Sequence, residues 1–208
     1  MTKRVPQVLF AVLLAVLIAG LVRQGLSIGQ PPHALAFAFA LVYLGWLLAE
    51  ARITFGKDGG TTPDPTVVPY GLARLLTVAG AVLGPSPWPN LAWWMVVPTC
   101  AFVGGIALRL TAIQILGRFY SHRVVRQDGH DVVTTGPYAV VRHPAYTGMV
   151  IAHAGLVVLF ANEISVPAFV VLIGALAWRI NAEEKMLRTV PGYLQYSAGK
   201  RRLLPAVW

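Results

Sequence analysis

The sequence predicts an all-α integral membrane protein of about six transmembrane helices, and three observations predict it. Of its 208 residues 56% are hydrophobic, only 12% are charged, and the apolar residues gather into six long runs. Mean hydropathy is +0.64. An average soluble domain carries roughly a quarter charged residues. Half of that leaves too little polar surface to cover a water-soluble globule, which excludes a soluble enzyme and a disordered chain alike. A hydrocarbon core takes about 20 residues of helix to cross, so the length accommodates these spans and one modest polar region. That region is smaller than an independently folded domain. Any chemistry must therefore be built from helix ends and the short segments joining them.

The first run, residues 5–22, follows Lys3 and Arg4 in the manner of a signal peptide. No A-x-A cleavage site comes after it and a second run, 34–49, follows closely, so a retained span is expected. The polar stretch 56–65 (GKDGGTTPDP) has turn chemistry. In the third run, 67–83, Arg74 lies about two turns from the start and is expected to snorkel toward the inner surface. Near the outer end of the fourth, 91–116, Trp88, Trp93 and Trp94 fit an interfacial aromatic belt. The fourth run also holds Cys100, the single cysteine, as a small core or lipid-facing residue with no internal disulfide. Only Asn162 and Glu163 separate the last two runs, 145–161 and 164–180, which read as a tight hairpin that need not cross the bilayer fully.

Orientation follows from the basic residues. With the N-terminus cytoplasmic, all of the 17 Lys and Arg except Arg23 and Arg74 fall in inner segments. The outer stretches 84–90 and 162–163 hold none. Such asymmetry is hard to obtain with one span miscounted, since every later loop would change sides. Both termini are thus expected in the cytoplasm of a prokaryotic cell or its equivalent. The net charge of +9 is accounted for by this bias and does not point to nucleic acid, because no aromatic-interleaved basic stripe accompanies it. Internal repeats are absent and no ionisable pair is apparent in mid-membrane, which argues against a transporter.

Polar residues concentrate in 117–143 and 179–202, both on the inner side. The hairpin returns the chain to the same face, so the two segments can meet there, open to water above and to lipid beside. That geometry suits one water-soluble and one lipid-soluble reactant. Pro144 pushes His143 into an extended conformation and suits the first turn of the fifth helix. Its free N–H groups, with Arg142 and His143 beside them, make either an anion site or a capped juxtamembrane helix facing lipid headgroups. Tyr146 flanks the same turn. Arg179 and Glu183 are four apart on one helical face, where they can pair or share a ligand, and Glu184 is turned about 100° further round. A juxtamembrane salt bridge of about 0–1 kcal/mol would also account for them.

The run Leu116-Gly117-Arg118-Phe119-Tyr120-Ser121, then Asp128-Gly129-His130, Val132-Val133, Gly136-Pro137-Tyr138, Arg142-His143-Pro144 and Tyr146 resembles the C-terminal core of the isoprenylcysteine carboxyl methyltransferases. Arg179, Glu183-Glu184 and Tyr193-Leu194-Gln195-Tyr196 continue the likeness. It divides the chain into N-terminal transmembrane helices over 1–90 and a catalytic core over 91–208. The resemblance implies a methyltransferase using S-adenosyl-L-methionine, with a cytoplasmic-side cofactor pocket formed by the C-terminal half and a lateral entrance for a lipophilic or lipidated acceptor. It implies His130, Val132 and Val133 as the adenine-side wall and Gly136 and Tyr138 as the neighbouring turn. Arg142, His143 and Tyr146 become methionine-side contacts, and Glu183 and Glu184 polar contacts from the last helix. Arg179, supported by Glu183 and Tyr146, becomes the residue that orients the acceptor.

In-line methyl transfer needs alignment and desolvation more than covalent help. A prenylcysteine-type carboxylate is already an anion and needs only an arginine to aim it. A phenol or enol, as in an alkylresorcinol, must lose a proton, for which His143, Tyr146 or Glu183 is available. No Cys/His cluster suggests a metal. His122 fits a pocket mouth or the surface equally, and His153 must face the bundle. Two other functions fit parts of the pattern: a membrane reductase using a nicotinamide phosphate, which shares the R-H-P-x-Y run, and a non-enzymatic transporter or scaffold.

Overall fold

The computed structural model describes residues 4–55, 64–117, 120 and 132–203. Its long helices are α1 (Val5–Gly25), α2 (Pro31–Phe55), α3 (Val67–Leu83), α4 (Val96–Leu116), α5 (Pro144–Leu159) and α6 (Ser165–Leu187). A short α7 (Tyr193–Ser197) follows, with 3-10 turns at Trp93–Met95 and Gly136–Ala139. Among the described residues there is no strand, only a parallel bridge between Val141 and Arg201. The all-α membrane architecture expected from composition is therefore present. By length and composition α1, α2, α4 with its leading turn, and α6 can each cross a bilayer. The shorter α3 and α5 have 17 and 16 residues, and 16 residues of helix extend roughly 24 Å.

Local chemistry sets the helix ends. Pro6 and Pro144 occupy first-turn positions of α1 and α5, where a missing N–H costs nothing. His143, ahead of Pro144, takes φ −127°, ψ 59°, outside the helical region but short of the extended backbone expected of it, because the clash with the proline ring excludes the helical region without imposing a full β conformation. The α5–α6 hairpin is organised by Asn162. Its Oδ1 accepts from the Ile164 and Ser165 amides at 2.9 Å each, while its Nδ2 donates to the Gly80 carbonyl at 2.7 Å. The same side chain thus starts α6 and pins the turn to α3.

Helix α4 packs along α5, α3 on α6, and α1 against α2 and α3. The α4–α5 contact is backbone to backbone. A Cβ on Gly148 would stand 2.7 Å from the Arg109 amide nitrogen, and one on Gly155 2.7 Å from that of Phe102. Small residues permit this approach where lipid supplies no hydrophobic drive between helices. Aromatic rings fill the layer beside it: Phe39 stacks on Phe102 at 4.5 Å and meets Phe160 edge-on at 5.4 Å. Val8, Val12, Ile18 and Val22 of α1 are exposed, the lipid-facing side of a peripheral helix. Cys100 is also exposed. Trp93 is exposed, and Trp88 ties its loop to the end of α5 by donating to the Leu159 carbonyl at 3.0 Å.

Two sequence expectations are corrected. Arg74 does not snorkel; it is buried, with Nη1 3.3 Å from Glu50 Oε2, Nε donating to Tyr43 Oη at 2.7 Å and Cζ 4.9 Å from the Trp46 ring centre. Nor is the bundle without an ionisable pair, because Glu50 is shared between Arg74 and a fully buried Arg109. Helix α2 supplies the carboxylate that makes it cheaper for Arg74 to turn inward than to reach for water.

Candidate active site

The two polar segments do fold together. Glu184, buried near the end of α6, accepts from three cation-forming side chains: Arg142 Nη1 at 2.9 Å, His143 Nε2 at 3.2 Å and Arg202 Nη2 at 2.9 Å. Residues 201–203 run alongside 141–143. The Arg142 amide donates to the Arg201 carbonyl and the His143 amide to the Arg202 carbonyl, each at 2.9 Å, and Thr147 Oγ1 donates to the Leu203 carbonyl at 2.7 Å. Tyr196 of α7 donates its hydroxyl to the Tyr138 carbonyl at 2.8 Å. Burial pushes the Tyr196 phenol up to about 12 and raises those of Tyr138 and Tyr193 as well, so all three remain protonated donors.

Beside this clasp lies a second cluster. Tyr146 of α5 donates its hydroxyl to Glu183 Oε2 at 2.8 Å and accepts from Arg179 Nε at 3.0 Å. Arg179 and Glu183, one turn apart on α6, therefore share a phenol. Arg179 Nη1 also donates to Asp64 Oδ2 at 3.0 Å and Thr66 Oγ1 at 2.8 Å, ahead of α3, and its Cζ lies 5.6 Å from the Tyr70 ring centre. Deeper still, Arg109 Nη1 donates to the Ala145 carbonyl and Nη2 to the Tyr120 hydroxyl, both at 3.2 Å, while Tyr43 joins Arg74 to His153 Nε2 at 3.0 Å. His153 faces the bundle, fully buried, with Nδ1 on the Met149 carbonyl at 2.8 Å.

Of the residues expected to line a cofactor pocket, Arg142, His143, Tyr146, Glu183 and Glu184 are brought together by these contacts. Gly136 takes φ +58°, where a Cβ would also meet Ile115 Cδ1 at 2.6 Å, so the turn there calls for glycine. It positions Tyr138, which is buried against Ala112, Ile113 and Tyr120 with Val133 alongside; Val132 is half-buried. His130, His122 and Asp128 lie outside the described residues. Sequence reasoning passed over Glu50, Asp64, Arg109 and Arg202. The available signal was a charge within or beside an apolar run, which is costly unless it is used.

Residues 96–189 match the isoprenylcysteine carboxyl methyltransferase family. Protein-S-isoprenylcysteine O-methyltransferase B of Arabidopsis thaliana is 35% identical over 136 residues, 62% of this chain and 69% of that protein. The chain belongs to the isoprenylcysteine carboxyl methyltransferase family. Protein-S-isoprenylcysteine O-methyltransferase A of the same plant is 32% identical over 146 residues, 66% of this chain and 74% of its own length. The human protein-S-isoprenylcysteine O-methyltransferase is 35% identical over 82 residues, 37% of this chain and 29% of its own. In fold, the chain resembles the eukaryotic intramembrane Ras methyltransferase ICMT, with a TM-score of 0.61 and 24% identity over 93% of this chain and 73% of that one. Family membership makes this chain a multi-pass membrane O-methyltransferase and does not favour the reductase or the transporter.

Proposed function

We propose that this methyltransferase takes its methyl group from S-adenosyl-L-methionine and delivers it to the carboxylate of a prenylcysteine-type acceptor held in the membrane, with the site on the cytoplasmic face. When bound, the cofactor supplies an electrophilic sulfonium methyl. The residues between Gly136 and Tyr146, with the end of α6 and α7, fit such a molecule. Arg142 Nε and the Tyr193 hydroxyl are buried without a hydrogen-bond partner among the described residues, and a carboxylate and ribose hydroxyls are partners of the kind they lack. His130, Val132 and Val133 are assigned to its adenine side, Arg142, His143 and Tyr146 to its amino-acid side, and Glu183 and Glu184 to its polar groups.

Arg179 orients the acceptor, with Glu183 and Tyr146 fixing the direction of its guanidinium. Because a carboxylate is an anion at neutral pH, no residue has to remove a proton. The chain's contribution is alignment and the exclusion of water, and Arg179 and Tyr146 are largely buried. The observation that carries this reading is the meeting of the Arg142–Glu184 pair with the Tyr146–Glu183 hydrogen bond from opposite ends of one hairpin, in a chain of this family. Membranes containing the protein are incubated with methyl-labelled S-adenosyl-L-methionine and their lipids extracted. Base-labile label is expected of an ester; base-stable label, as in an ether, refutes the carboxylate.

A further inference from the structure

We propose that Asp64, outside the family match, is a positioning residue for methyl transfer: it holds the Arg179 guanidinium across Tyr146 and keeps it from turning onto Glu183. The inference rests on the acceptor-orienting role proposed for Arg179. Asp64 is built for two tasks. Its Oδ1 accepts from the Thr66 amide at 2.9 Å and the Thr66 hydroxyl at 2.6 Å, closing the turn that leads into α3. Its Oδ2 takes Arg179 Nη1 at 3.0 Å, and the side chains of this pair are each 4% exposed. Thr66 Oγ1 accepts from the same nitrogen at 2.8 Å, so one turn presents two acceptors to one edge of the guanidinium. Tyr70, one turn into α3, lies against its face.

The alternative resting place for Arg179 is on its own helix. Glu183 is four residues on, where an arginine and a glutamate pair readily. In the structure that carboxylate takes the Tyr146 hydroxyl, and Arg179 donates to the same hydroxyl oxygen through Nε. The pull of Asp64 on Nη1, a different nitrogen of the same planar group, keeps Nε turned to Tyr146. Without it the guanidinium relaxes toward Glu183, and the geometry offered to the acceptor is lost.

Asp64→Asn separates the two tasks, since asparagine can still close the turn through its amide oxygen but presents no charge to Arg179. Turnover is measured with N-acetyl-S-farnesylcysteine, whose only ionisable group is its carboxylate, and S-adenosylhomocysteine binding is measured alongside. The expected result is kcat/KM lower by about tenfold or more, S-adenosylhomocysteine Kd within about twofold of wild type, and partial recovery in Asp64→Glu. In an Arg179→Lys background, Asp64→Asn should add less than about threefold, because it acts through Arg179.

Wild-type kcat/KM in Asp64→Asn, an undiminished penalty in the Arg179→Lys background, or a fall in acceptor KM each overturns the inference, the last because Asp64 would then compete with the acceptor. Loss of S-adenosylhomocysteine binding in both Asp64→Asn and Asp64→Glu overturns it too, assigning Asp64 to folding. Should wild type ignore farnesylcysteine, the acceptor reading fails. The ratio of variant to wild-type label entering endogenous membrane lipid then still tests Asp64.

Discussion

Replacing Glu184 by glutamine removes one negative charge and leaves the shape of the side chain almost unchanged. The carboxylate is 2% exposed and holds Arg142, His143 and Arg202 at 2.9, 3.2 and 2.9 Å. In the variant the two guanidiniums face each other across a neutral amide that satisfies only part of their donors. Breaking a fully buried pair by removing one partner costs about 3–5 kcal/mol. The Arg142 and Arg202 side chains are 18% and 22% exposed, so solvent screens part of that and about 2–3 kcal/mol remains. The loss falls on the segment 141–143 and its partner 201–203, which hold Arg142 and His143 where the cofactor is assigned. S-adenosylhomocysteine affinity should therefore weaken roughly 30- to 150-fold, measured by titration calorimetry on detergent-solubilised protein. The acceptor KM, proposed to depend on Arg179, which makes no contact with Glu184 among the ion pairs described, should move much less. A change in Kd below about threefold in a folded variant would refute the claim that Glu184 organises this site.

Two further predictions address the bundle. Gly148→Val places methyl groups against the α4 backbone beside Arg109, which should cost at least about 1–3 kcal/mol; it should lower the thermal midpoint in detergent, whereas Gly104→Val, with open space at its Cβ, should leave it unchanged. Glu50→Gln deprives both Arg74 and Arg109 of their carboxylate and should destabilise by about 3–5 kcal/mol, more than Arg74→Met, which leaves the Glu50–Arg109 pair intact; equal midpoints for the two would show that the pair is not a joint anchor.

Most of the helical architecture was legible from hydropathy, because a bilayer imposes nearly the same length and apolarity on every span. The run 67–83 coincides with α3, and the hairpin at Asn162 and Glu163 follows from the shortness of its turn. The R-H-P-x-Y stretch was equally readable, since Pro144 fixes the start of α5 and keeps His143 out of the helical region whatever surrounds them. Arg74 was not. Its fate depends on α2 bringing Glu50 and Tyr43 to it from 24 and 31 residues away, and nothing in a local window encodes that register.

The same division runs through the site. Arg179 and Glu183 were visible as an i, i+4 pair, and Arg142, His143 and Glu184 as charges on one side of the membrane. Local spacing fixed the candidates because helix geometry is periodic and a charge beside an apolar run has few places to go. Which carboxylate holds which arginine was settled only by packing. Glu184 went to Arg142 and Arg202, Asp64 to Arg179, and Glu50 to Arg74 and Arg109, since ion pairing falls off within a few ångströms and those few ångströms belong to the fold.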